Sequence, residues 1–165
     1  MLDQYQIDAV ATAIYPREYR IAYPALGLIG ELAELREAVS HCDSYTHNTR
    51  PVLKEAGDVM WYCANLAADL GVSLSTLDSH TLLSVFPSEK YIGDFAEKVK
   101  KLIRDGADDK REAVLAFITV AIATVQTTCR NFSYDFSFED VLTTNIQKLN
   151  SRKERGTLTG DGDNR

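Results

Sequence analysis

The sequence predicts an all-α protein, and three observations carry that prediction. Apolar residues recur at helical spacing through most of the chain. Prolines and glycines fall where helices would begin and end. The one alternating stretch, Asn131 to Phe138, has no second strand to pair with and reads as an aromatic loop. In order, Leu2 to Ile14 is amphipathic and ends before Pro16. Pro24 opens a helix running to about Val39, and the polar stretch His41 to Arg50 is a loop. Pro51 suits the first turn of the next helix, which runs to Leu70 with Gly71 as its stop. Further helices are expected at Ser73 to Leu83, Ser88 to Arg104, Lys110 to Arg130 and Ser137 to Ser151.

The 165 residues fit one domain, able to bury about 70% of its unfolded surface. A hydrophobic content of 45% is ample for a core. The N-terminus lacks a basic segment followed by an apolar one, and the longest apolar candidate, Ala113 to Val125, is too short for a membrane span and carries Thr119 and Thr124. Cys42, Cys63 and Cys129 are scattered and odd in number, which suits reduced thiols in a cytoplasmic protein. His41, His47 and His80 have no zinc-ligand spacing with them. A net charge of −6 argues against a nucleic-acid polymer as partner. Within that acidic chain, residues 148 to 165 hold Lys148, Arg152, Lys153, Arg155 and Arg165 against Glu154, Asp161 and Asp163, a basic tail suited to a small polyphosphate. The alternative is a solvated, frayed terminus.

Two carboxylate pairs are the chemical signal. Glu31 and Glu34, and then Glu55 and Asp58, are each three apart, so on a helix each pair shares a face about one turn apart. From Ala56 to Ala68 Asp58 is the sole acid in a nearly apolar run, with Glu55 just before it and only Lys54 close enough to neutralise either. Buried carboxylates cost several kcal/mol each unless paired or bound to metal. Alone, Glu31 and Glu34 would suit a solvated helix face; with the second pair they point to a shared cation site.

The run Tyr23-Pro24-Ala25-Leu26-Gly27-Leu28-Ile29-Gly30-Glu31-Leu32-Ala33-Glu34, followed by Lys54-Glu55-Ala56-Gly57-Asp58-Val59-Met60-Trp61-Tyr62, resembles the MazG-like all-α nucleoside triphosphate pyrophosphohydrolases. That family is marked by an ExxE on one helix and an ExxD on the next, and the separation of Glu34 from Glu55 fits. The stretch from Asn145 to Leu149, then Arg152-Lys153-Glu154-Arg155-Gly156 and Gly160 to Arg165, is similar to the tail of small members. The resemblance is specific for the family and not for a substrate. It implies a helical bundle of MazG-like type, assembling as a dimer or tetramer.

The chain also repeats itself. Tyr23-Pro24 and Leu28-Ile29-Gly30-Glu31-Leu32-Ala33-Glu34 recur at constant offset as Phe86-Pro87 and Tyr91-Ile92-Gly93-Asp94-Phe95-Ala96-Glu97. Residues 20–83 then form a first repeat with the carboxylates, 84–150 a degenerate second, and 151–165 a basic, glycine-containing tail. The equivalents of Glu55 and Asp58 fall near Phe117 and Val120, where no ligand exists. The chain thus looks like a fused pseudo-dimer with one catalytic half, although chance can produce so short a match. Asp94 and Glu97 are then either vestiges on a solvated face or a weak extra site.

Oxygen ligands from Glu31, Glu34, Glu55 and Asp58 suit Mg²⁺, with Mn²⁺ as substitute. As the resemblance implies, water attacks the α-phosphorus of a nucleoside triphosphate, releasing monophosphate and pyrophosphate, with Glu34 preferred as the base. Lys148, Arg152, Lys153, Arg155 and Lys54 are candidates for the phosphates, and Asn145 for sugar or phosphate. Trp61, and less so Tyr62, could stack on the base or belong to the core. No phosphate-binding glycine loop or calcium loop is present. Rivals are narrow action on dUTP or dCTP, the related pyrophosphohydrolase of histidine biosynthesis, and a helical module that binds nucleotide without turnover.

Overall fold

The computed structural model describes residues 1–42, 48–78 and 86–158. Six α-helices occur among them: α1 Leu2–Val10, α2 Ala22–His41, α3 Arg50–Asp69, α4 Glu89–Asp105, α5 Asp108–Asn131 and α6 Phe138–Glu154. Short 3₁₀ turns lie at Arg17–Tyr19 and Leu74–Leu77, and the described residues contain no strand. The all-α prediction therefore holds.

Local chemistry sets the helix ends. Pro51 stands in the first turn of α3. Ser88 caps α4 by accepting from Tyr91 N–H, and Gly106 ends it in the left-handed region at φ 64°. At α6, Ser137 Oγ accepts from Asp140 N while Asp140 Oδ2 accepts from Ser137 N, a reciprocal capping box.

Several boundaries differ from expectation. Helix α1 ends at Val10, not Ile14, because the Ala9 carbonyl accepts from Thr12 Oγ1 (2.7 Å) and Trp61 Nε1 (3.2 Å), which compete with helix propagation. Helix α2 begins before Pro24, after Ile21 at φ 67°, a strained value for a β-branched residue. Asp69 holds it there, accepting from Ile21 N–H (3.3 Å) and Tyr15 O–H (2.9 Å). The helix expected from Ser73 to Leu83 is a single 3₁₀ turn to Leu77 with Asp78 extended, and residues 79–83, like His80, lie outside the described residues. Helix α6 continues beyond Ser151 to Glu154.

Two antiparallel hairpins make the body. Late α2 meets early α3 near Glu34 and Glu55, while the start of α2 meets the end of α3 at Ile21 and Asp69. Helices α4 and α5 form the second, with Phe95 stacked on buried Phe117 at 3.9 Å between ring centroids. The hairpins touch through α3 with α5 and α2 with α4, while α1 and α6 cover α3. Helix α5 is longer than the apolar segment read from the sequence. By length and composition it could cross a membrane, with a mean hydropathy of 1.6 over 18 residues, yet 67% of that window is buried against the other helices. Asp94 and Glu97 lie exposed on α4, paired with Lys90 and Lys100 at 2.6 Å each, which favours the solvated-face alternative. The cysteines are free thiols.

Candidate functional site

The antiparallel pairing of α2 and α3 brings carboxylate oxygens of Glu31, Glu34 and Glu55 within 4.8 Å of one another. Glu34 is exposed, Glu31 half-buried, and Glu55 buried at 8% exposure. Glu55 Oε1 accepts from Lys54 Nζ at 2.8 Å, whereas its buried Oε2 has no hydrogen-bond partner. An unsatisfied buried carboxylate oxygen is costly, and its position beside two further acids is the observation that fits a hard cation such as Mg²⁺ or Mn²⁺. Burial pushes the Glu31 carboxyl up to about 8, helped by the negative charges of Asp58, Glu34 and Glu55 and opposed by Lys148. Burial also raises Glu55, against the pull of Lys54.

Of the four carboxylates grouped by sequence, three lie in mutual reach, and the fourth, Asp58, is close enough for its charge to raise both Glu31 and Glu55. Asp58 lies outside the mutual cluster of Glu31, Glu34 and Glu55 and is held from α6. Lys148 Nζ reaches Oδ1 and Oδ2 at 2.5 and 2.7 Å, and Asn145 Nδ2 donates to Oδ1 at 3.0 Å. Buried Tyr5 donates its hydroxyl to Asn145 Oδ1 at 2.9 Å, which fixes the amide orientation. Tyr5 was invisible as a site residue in the sequence: one aromatic on an amphipathic helix reads as core.

Beside Glu55, four basic residues, Arg50, Lys54, Lys148 and Arg152, line a cleft of about 590 Å³ together with Asn145. Arg152 is buried at 7% exposure, so the last turn of α6 is part of the folded body and not a frayed end. Arg50 was not among the expected residues, because a single arginine at a loop boundary carries no pattern. Glu55 also borders a second cleft, of about 640 Å³, lined by Glu34, Glu37, His41 and Asn48. Glu55 thus stands between a cationic and an acidic wall.

Other expected contacts point elsewhere. Lys153 Nζ donates to Ala11 O at 3.1 Å, tying α6 to α1, and Arg155 bonds Ser151 Oγ on its own helix. Neither lines the basic cleft. Trp61 Nε1 donates to Thr12 Oγ1 at 2.9 Å, and its ring meets Tyr62 edge-on with centroids 4.9 Å apart. Tyr62 in turn packs on Gly27, where a Cβ would lie 2.1 Å from the ring. Trp61 therefore sits in an aromatic cluster joining α1, α2 and α3. His47, Gly160, Asp161, Gly162, Asp163 and Arg165 lie outside the described residues.

The chain is similar to the Gene 37 protein of Mycobacterium phage L5, with 39% identity over 93 residues spanning 49% of this chain and 82% of that protein. No family model and no solved structure matches it.

Proposed function

The chain belongs to the family of the Gene 37 protein of Mycobacterium phage L5, and on its site geometry we propose that it hydrolyses nucleoside triphosphates to monophosphate and pyrophosphate with Mg²⁺. The observation that carries this reading is the buried, unpartnered Oε2 of Glu55, flanked by Glu31 and Glu34 and backed by the basic cleft. Glu31, Glu34 and Glu55 would hold the cation. A divalent ion supplies neutralisation of phosphate charge and a more acidic water. Arg50, Lys54, Lys148 and Arg152 bind the β- and γ-phosphates through charge-assisted hydrogen bonds. Water adds to the α-phosphorus, its proton passes to exposed Glu34, and the α–β anhydride breaks with pyrophosphate leaving.

The resemblance to MazG-like pyrophosphohydrolases supports the same chemistry. It also supports a fused pseudo-dimer, in which the α4–α5 hairpin is the copy without ligands. The same reading holds the protein to be cytoplasmic and homo-oligomeric. One observation favours the rival of nucleotide binding without turnover: both oxygens of Asp58 are already engaged by Lys148.

The deciding experiment is a panel of ribo- and deoxyribonucleoside triphosphates, dUTP and dCTP included, incubated with Mg²⁺ and either the natural chain or Glu55→Gln. Equimolar monophosphate and pyrophosphate from the natural chain, reduced at least about a hundredfold in the variant, is the expected result. Binding without any product supports the rival.

A further inference from the structure

Lys148 has two roles available to it in one position. Its ammonium contacts both oxygens of Asp58, at 2.5 and 2.7 Å, in a pair whose side chains are each about one-fifth exposed. The same side chain lines the basic cleft. Asp58 comes one turn after Glu55 on α3, and its oxygens are engaged from α6 by Lys148 and Asn145, outside the mutual group of Glu31, Glu34 and Glu55. Glu55 Oε2 meanwhile lacks a partner. Each of these two carboxylates is thus paired with an internal lysine, Asp58 with Lys148 through both oxygens and Glu55 with Lys54 through Oε1 alone.

An ion pair at this depth is stronger than a surface one, because fewer waters screen it. It is still replaceable: a phosphate can compete for the ammonium, and a divalent cation can compete for the carboxylate with twice the charge. Asn145, held by Tyr5, gives Asp58 Oδ1 a second donor that does not depend on Lys148.

We propose that Lys148 is a displaceable internal cation. It neutralises Asp58 in the ligand-free protein, and it transfers to a substrate phosphate when the basic cleft fills, releasing Asp58 to complete the carboxylate set. Cation and polyphosphate then bind with positive coupling through the protein itself, beyond their attraction for each other, and an ordinary coupling of this kind is about 5- to 150-fold. The inference rests on the metal-and-phosphate reading above but makes no use of turnover.

The test is a pair of double-mutant cycles read by titration calorimetry on the full chain. For Mg²⁺ alone, without phosphate, Lys148→Met should tighten binding about tenfold or more relative to the natural chain, because the competitor is removed. Lys148→Arg should stay near the natural value. In an Asp58→Asn background, Lys148→Met should change Mg²⁺ affinity little. For pyrophosphate alone, in chelator, Asp58→Asn should tighten binding by freeing Lys148, and this gain should vanish when Lys148→Met is added.

Equal tightening by Lys148→Met in both Asp58 backgrounds would mean a long-range field and would overturn the exchange. So would unchanged or weaker Mg²⁺ binding in Lys148→Met, no Mg²⁺ binding by any variant, or a pyrophosphate gain independent of Lys148. Failure of the pyrophosphohydrolase reading looks different: both cycles hold and no triphosphate is turned over. Thermal melts of each variant confirm that the compared proteins are folded.

Discussion

Gly57 and Asn145 meet with no room for a methyl group: a Cβ on Gly57 would lie 2.9 Å from Asn145 Cβ and 3.1 Å from its Nδ2. This close approach of α3 and α6 is what lets Asn145 and Lys148 reach Asp58, one residue further along. An alanine elsewhere in a helix gains about 1 kcal/mol over glycine. At Gly57 overpacking costs about 1 to 3 kcal/mol and outweighs that gain. Gly57→Ala should therefore lower the melting temperature and weaken pyrophosphate binding. Gly30→Ala, on an open face where a Cβ meets nothing within 4 Å, should raise the melting temperature.

Glu31 predicts an unusual pH dependence of the metal-free protein. Its folded carboxyl is raised to about 8 from an ordinary 4.5. Between those values the folded state keeps a proton that the unfolded chain has released, so stability falls as pH rises from about 4.5 to about 8. Below the lower value this penalty is absent. Thermal melts in chelator at a series of pH values should show this decline, and Glu31→Gln should flatten it. A decline of equal slope in Glu31→Gln would assign it to another group. At pH 8, saturating Mg²⁺ should restore part of the lost stability, about 2.7 kcal/mol at a hundred times its dissociation constant.

The end of α6 separates the basic residues that sequence could not rank. Arg152 is buried and lines the cleft, whereas Lys153 and Arg155 bond Ala11 O and Ser151 Oγ. Arg152→Gln should weaken pyrophosphate binding by roughly ten- to a hundredfold, the range of one charge-assisted contact. Arg155→Ala should change it less than about threefold. Ending the chain at Asn150, which a frayed tail would tolerate, should instead lower the melting temperature, because Arg152 and the Lys153 tie to α1 are lost together.

Sequence periodicity was enough to find all six helices, because each buries an apolar stripe and several are punctuated by Pro16, Pro24, Pro51 or Gly71. It failed from Ser73 onward, where one 3₁₀ turn gives way to extended Asp78, and at the end of α1, where Trp61 and Thr12 take the Ala9 carbonyl. Tertiary contacts enter both failures, Trp61 on the Ala9 carbonyl and Asp3 and Gln6 of α1 accepting from Ser75 N–H and Leu74 N–H, and no local pattern reports them. The carboxylates were legible because three-residue spacing on an apolar helix is improbable without a partner. Their division was not: that Asp58 turns to Lys148 depends on α6 crossing α3 at Gly57, ninety residues away in sequence for the lysine. Tyr5 and Arg50 joined the site through packing alone.

The proposed attack of water on the α-phosphorus is tested most directly by the fate of solvent oxygen. A triphosphate substrate should be turned over with Mg²⁺ in ¹⁸O-enriched water, and both products analysed by mass spectrometry. One ¹⁸O per turnover in the nucleoside monophosphate, with pyrophosphate unlabelled, is the predicted result. Label in the pyrophosphate, diphosphate and orthophosphate as products, or no product at all would contradict it.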